Sequence, residues 1–216
     1  MKNILFLFGT RPEAIKLAPL ITEFKKHKNC TVKVGVTAQH REMLDQVLHF
    51  FEITPDYDLN IMSPGQTLPK LTADLITKIT NDILAKEQFD YVFVQGDTTT
   101  VMAGAMAAFY QKIKVVHIEA GLRSGDIYSP FPEEMNRILT SRIAEWHFCP
   151  TPKSAENLRA EGIKENIHIV GNTVIDALLA GIKKVESLDQ NVFFKHFEGI
   201  DFNKKIILLT CHRRES

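Results

Sequence analysis

The stretch YVFVQGDTTTVMAGAMAAFYQKIKVVHI, residues 91–118, reads as one strand–helix–strand unit. Tyr91–Val94 is a short run of β-branched and aromatic residues that ends at Gly96. Thr99–Gln111 is small and apolar (Val101, Met102, Ala103, Gly104, Ala105, Ala107, Ala108), the composition of a helix packed closely on a sheet. Lys114–Ile118 is again strand-like. A strand, a helix and a strand joined by short connections form a parallel pair with a right-handed crossover.

The same alternation continues in both directions. Towards the start, Asn3–Phe8 reads as a buried strand, Glu13–Lys26 as a helix, Thr31–Val36 as a strand, and His40–Phe51 and Leu68–Ala85 as helices. Towards the end come helix Glu133–Ile143, strand Glu145–Cys149, helix Ser154–Glu161, strand Ile167–Val170 and helix Thr173–Val185. This pattern predicts an α/β chain with a Rossmann-like, doubly wound parallel sheet covered on both faces. The expected organisation is a first domain over 1–172, a helix and interdomain linker over 173–203, and the start of an incomplete second domain over 204–216. Within the linker, Asp189–Asn203 reads as irregular, and Lys204–Thr210 (KKIILLT) reads as a new buried strand, or as an added edge of the first sheet.

Bulk properties exclude several classes. The 216 residues carry 26 Lys+Arg and 26 Asp+Glu, so no overall basic charge argues for nucleic acid or an anionic membrane. Hydrophobic residues make up 44%, enough for a sizeable core. The apolar run Ile4–Phe8 is too short for a signal peptide, and no stretch of about twenty apolar residues exists to span a bilayer. Cys30, Cys149 and Cys211 are widely spaced and odd in number, which fits a reducing cytoplasm and neither a disulfide framework nor a metal site. No GxGxxG or Walker loop is present, and no cofactor is expected.

In an open parallel sheet ligands bind beyond the carboxyl ends of the strands, and the unusual residues gather there. Gly9-Thr10-Arg11-Pro12-Glu13 follows the first strand. Its helix start offers free N–H groups to an anion, and Arg11 and Lys16 add positive charge. Gly96-Asp97-Thr98-Thr99-Thr100 contains a helix cap and, in Asp97, a candidate catalytic carboxylate. His117 and Glu119 end a buried strand, where an unpaired polar side chain is costly; a His117–Glu119 pair and a functional role are both consistent with this. Pro132-Glu133-Glu134 starts a helix on which Glu133 and Arg137 share a face. His212-Arg213-Arg214 follows the last apolar run with charges suited to a phosphate.

The segments FGTRPEAIKLAP, QGDTTT, HIEAGLRSGD, YSPFPEEMNR, VGNTVIDAL and CHRRES occur in the order of one family. Over its whole length the chain resembles the non-hydrolysing UDP-N-acetylglucosamine 2-epimerases, with epimerases of diacetamido-uronic acid nucleotides as close cousins. The resemblance implies the N-terminal half of a two-domain GT-B architecture whose second domain would continue past Ser216. It implies Asp97, Glu119 and Glu133 as catalytic carboxylates, and Lys16, Arg137 and His212 as substrate-binding positions with Arg11 in the same first loop. It places Gln39, Arg41 and Gln66 near a second UDP-N-acetylglucosamine that acts as an activator, and it implies a homodimer.

The expected reaction interconverts UDP-N-acetylglucosamine and UDP-N-acetylmannosamine through loss and re-addition of UDP at a 2-acetamidoglycal, for surface polysaccharides. The 216 residues alone are expected to be inactive. A GT-B UDP-sugar glycosyltransferase and a non-catalytic fragment are the alternative readings.

Overall fold

The computed structural model describes residues 1–38, 41–63 and 65–209. Seven strands form one parallel sheet in the order β3-β2-β1-β4-β5-β6-β7. They are β1 (Lys2–Phe8), β2 (Cys30–Val36), β3 (Tyr57–Asp58), β4 (Tyr91–Gln95), β5 (Lys114–Ile118), β6 (Trp146–Cys149) and β7 (Ile167–Ile169). The helices are α1 (Arg11–Lys25), α2 (Arg41–Phe50), α3 (Leu68–Lys78), α4 (Thr99–Tyr110), α5 (Glu133–Ile143), α6 (Pro152–Ala160), α7 (Val174–Glu186) and α8 (Gln190–His196). The Rossmann-like, doubly wound sheet expected from the alternation is the one observed.

The central strand explains the layering. β1 is apolar on both sides because both sides are covered. Phe6 and Phe8 pack with Leu17 and Ile21 of α1 and Leu44 of α2, whereas Leu5 and Leu7 pack with Leu75 of α3 and Val101 of α4. Gly104 lets α4 approach β1: a Cβ there would stand 2.5 Å from Leu7 Cδ2. The chain winds outward from β1 through β2 to β3 and then returns to place β4 on the other side of β1. The loops after β1 and β4 therefore diverge, opening the crevice in which doubly wound sheets bind ligands.

Several local expectations differ from what is seen. Leu68–Ala85 is not one regular helix, because α3 passes into a π-helical turn at Ile79–Leu84. The two-residue strand β3 is too short to leave a pattern. The 189–203 stretch contains α8, started by Asp189, whose carboxylate accepts the Asn191 N–H at 3.0 Å. Residues 204–209 form no strand, buried or at the sheet edge, and Ile207 is 91% exposed. Apolar, β-branched composition alone does not make a strand: its N–H and C=O groups need a neighbouring strand, and none pairs with these residues among the described ones. Thr210 to Ser216 lie outside the described residues. The chain divides into two units, Met1–Leu178 and Leu179–Ser216. Among the described residues no helix is long and apolar enough to cross a membrane.

Gly121, just beyond β5, has φ +85°, and a Cβ there would lie 2.2 Å from the Ser154 carbonyl oxygen. Gly162 has the same kind of backbone, φ +86°, with open space around it. Gly162→Ala should therefore cost about 1 kcal/mol, from backbone strain alone. Gly121→Ala should cost about 3 kcal/mol or more, because backbone must also move. Urea unfolding of the two variants checks this, and equal losses would contradict it.

Candidate functional site

A cavity of about 220 Å³ opens at the carboxyl edge of the sheet between the loops after β1, β4 and β5. Its floor is Glu13, which is only 2% exposed. One Glu13 oxygen accepts the N–H groups of Gly9 at 3.0 Å and Thr10 at 2.6 Å; the other accepts the Thr98 hydroxyl at 2.7 Å. Burial pushes its carboxyl up, against the pull of those hydrogen bonds. The Thr-x-x-Glu spacing of Thr10 and Glu13 is that of a capping box. The N–H groups of Gly9 and Thr10, just before the helix, are therefore occupied by the chain's own carboxylate.

Two ion pairs line the cavity. Lys16, one helical turn beyond Glu13, reaches Glu119 Oε2 at 2.5 Å. Gln95, buried at the end of β4, donates to the same oxygen, and Asn172 donates to Oε1 at 3.0 Å. Glu119 itself has φ +63°, in the left-handed region that a side chain makes costly. Across the loop after β4, Arg137 Nη2 is paired with Asp97. Its Nη1 donates to Glu134 at 3.0 Å, and its Nε is buried with no hydrogen-bond partner among the described residues. Asn136 donates to the Asp97 carbonyl at 3.0 Å.

The structure thus brings Lys16, Asp97, Glu119 and Arg137 into one cavity. The other expected residues stand differently. Glu133, the first residue of α5, is half-buried, and its side chain has no hydrogen bond or ion pair among the described residues. Arg137 turns to Glu134, not Glu133, because residues three apart are also neighbours on a helix and Glu134 is the buried one. Arg11 is exposed and does not line the cavity. Arg41 pairs with Asp45 at 3.0 Å and Asp58 at 2.5 Å, and Gln66 donates to Asp74 at 3.0 Å; neither lines the cavity. Gln39 and His212 lie outside the described residues. His117 does not pair with Glu119: its Nε2 meets the Gly96 carbonyl at 2.7 Å.

Four residues of the site escaped the sequence reading. Glu13 carried a usable signal in its capping-box spacing. Glu134 is 1% exposed; it accepts Arg137 through one oxygen and the N–H groups of Ser124 and Gly125 (3.0 and 3.3 Å) through the other. Gln95 and Asn172 gave no local signal, because their partner is far away in the chain.

Comparison with known proteins agrees in two ways. Residues 22–216 match the family model described as UDP-N-acetylglucosamine 2-epimerase. A UDP-N-acetylglucosamine 2-epimerase from Salmonella borreze is 55% identical, over all of this chain and 58% of the relative. The crystal structure of the Neisseria meningitidis UDP-GlcNAc 2-epimerase bound to UDP-GlcNAc superposes with a TM-score of 0.93, at 53% identity over 99% of this chain and 58% of that one. The Methanocaldococcus jannaschii enzyme in complex with UDP-GlcNAc and UDP gives 0.82 at 40% identity, over 90% of this chain and 53% of that one. The chain spans a little over half the length of these relatives.

His117 links the cavity loop to a pH response. Burial lowers its pKa to about 4, so the folded protein holds it neutral where the unfolded chain, near 6.5, takes up a proton. Stability then rises with pH across that window, and is lost as pH falls from 6.5 towards 4, by about 3 kcal/mol from this group. Urea unfolding at pH 7 and pH 4.5 should show a smaller difference for His117→Gln than for the wild type. Equal differences would contradict the assignment.

Proposed function

The chain belongs to the UDP-N-acetylglucosamine 2-epimerase family, and from that premise we propose that it serves to interconvert UDP-N-acetylglucosamine and UDP-N-acetylmannosamine without releasing free sugar. The observation that carries this is the convergence of Glu119 and Asp97, each held by a cation, on one cavity at the switch point of the sheet.

The C2 hydrogen of the sugar is barely acidic while C1 keeps its bond to the phosphate oxygen. Breaking that bond makes C1 oxocarbenium-like, and UDP leaves with the electron pair. A carboxylate then takes the C2 proton and a C1=C2 double bond forms, giving a 2-acetamidoglycal. Return of a proton to the opposite face of C2 and of UDP to C1 gives the epimer. Negative side chains suit the cationic centre, as paired carboxylates do in glycoside hydrolysis. Cations suit the departing diphosphate, and exclusion of water prevents hydrolysis. In this reading Glu119 and Glu133 transfer protons, and Asp97 is a base or an electrostatic stabiliser. Lys16, Arg137, Arg11 and His212 act on the substrate. A GT-B architecture for a protein of the relatives' length, a homodimer, a cytoplasmic location, and a second UDP-N-acetylglucosamine acting as activator near Gln39, Arg41 and Gln66 belong to the same proposal.

The test is exchange at C2 of UDP-N-acetylglucosamine in D₂O, followed by NMR. It compares the 216 residues with a version extended to the relatives' length by the remainder of the Neisseria meningitidis protein. The extended version should place deuterium at C2 and form UDP-N-acetylmannosamine; the 216 residues should not, since turnover needs all groups positioned together. No exchange by the extended version would overturn the proposal, and UDP release only when an acceptor sugar is added would favour a glycosyltransferase.

A further inference from the structure

Gly171-Asn172-Thr173 joins β7 to α7, within a motif that the proposed chemistry leaves without a role. Both ends of the Asn172 side chain are used. Its Oδ1 accepts the N–H of Val174, the first residue of α7, at 3.0 Å, and its Nδ2 donates to Glu119 Oε1 at 3.0 Å. The two ends cannot be exchanged, because a backbone N–H needs an acceptor and a carboxylate needs a donor. The Asn172 carbonyl also accepts the Ile175 N–H at 3.1 Å, so the residue is anchored to the helix through its backbone as well.

Glu119 depends on this anchor. Lys16 and Gln95 both bind Oε2, whereas Oε1 is bound by Asn172 alone among the described residues. Rotation about the last side-chain bond of a glutamate is soft. The two oxygens turn together about that bond, so the Asn172 donor on Oε1 opposes any turn that the donors on Oε2 would follow, and the carboxylate is held from both sides. We infer that Asn172 is a positioning residue that sets the plane of the Glu119 carboxylate and makes it follow the first turn of α7. The inference rests on Glu119 being a proton-transfer group.

Asn172→Asp and Asn172→Ser separate the two duties of the side chain. Each keeps an oxygen for the Val174 N–H, as helix starts prefer, and each lacks the amide that donates to Glu119. In the 216-residue chain, the ¹³C resonance of the Glu119 carboxyl should move in both variants while the Val174 amide resonance holds. An unmoved Glu119 resonance overturns the inference. In the extended protein, kcat should fall about a hundredfold for Asn172→Asp, whose new carboxylate also repels Glu119, and about tenfold for Asn172→Ser, with KM changed less than about threefold in both.

Should one variant fail to fold, the other carries the test. Wild-type kcat in a folded variant, with Glu119→Gln inactive, overturns the positioning role. An active Glu119→Gln instead overturns the reading of Glu119 on which the inference rests, and with it the inference.

Discussion

A buried carboxylate with no cation beside it organises this site. Among the described residues Glu13 forms no ion pair, and its charge is met by neighbouring backbone N–H groups and hydroxyls. Such a group is expensive to bury unless its hydrogen bonds are complete. Its position lowers the cost: α1 starts at Arg11, and Thr98 is the N-cap of α4, so both helix dipoles favour negative charge there. Gly9 makes the close approach possible, since a Cβ on it would stand 2.2 Å from Thr37 Oγ1 and 2.6 Å from Thr100 Oγ1. The loops that diverge from β1 and β4 are thereby tied together at the bottom of the crevice they open.

The charged groups that line the cavity stand close to that tie. Thr98 is held by Glu13, and the adjacent Asp97 is paired with Arg137. Arg137 leads through Glu134 to the backbone of Ser124 and Gly125. On the other side, Lys16 lies one turn along α1 from Glu13 and reaches Glu119. Ion pairs as buried as these add little net stability, since desolvation offsets their attraction. Their value is in orientation: donors and charges fixed before a ligand arrives need not reorganise when charge develops.

What the sequence revealed and what it withheld follow one physical division. Strand and helix periods are local, so β1, β4, β5, α1 and α4 were legible within a few residues of their observed bounds. So was the clustering of polar residues at strand ends, because the topology of a parallel sheet sends them to one edge. Partners were not legible: Asn172 meets Glu119 across 53 positions and Lys16 meets it across 103. Between Glu133 and Glu134 the spacing to Arg137 could not choose; burial did. In 204–209 the apolar, β-branched run was read correctly as composition but not as structure, because a strand is a property of two segments. The Gly9–Glu13 loop reads as a site for an anionic ligand, and the role of Glu13 inside it, accepting the Gly9 and Thr10 N–H groups, was not read.

The most direct test is amide hydrogen exchange at Gly9 and Thr10 in the wild type and in Glu13→Gln. Glutamine keeps the shape, but its neutral amide oxygen accepts the Gly9 and Thr10 N–H groups more weakly than a carboxylate does, and Thr98 must turn its hydroxyl to accept from the new NH₂ group. The account predicts that Gly9 or Thr10 loses protection by about tenfold or more, while Phe6 and Leu7 in β1 keep theirs. Unchanged protection at both loop amides would mean that Glu13 does not hold the loops together, and the site would need another foundation.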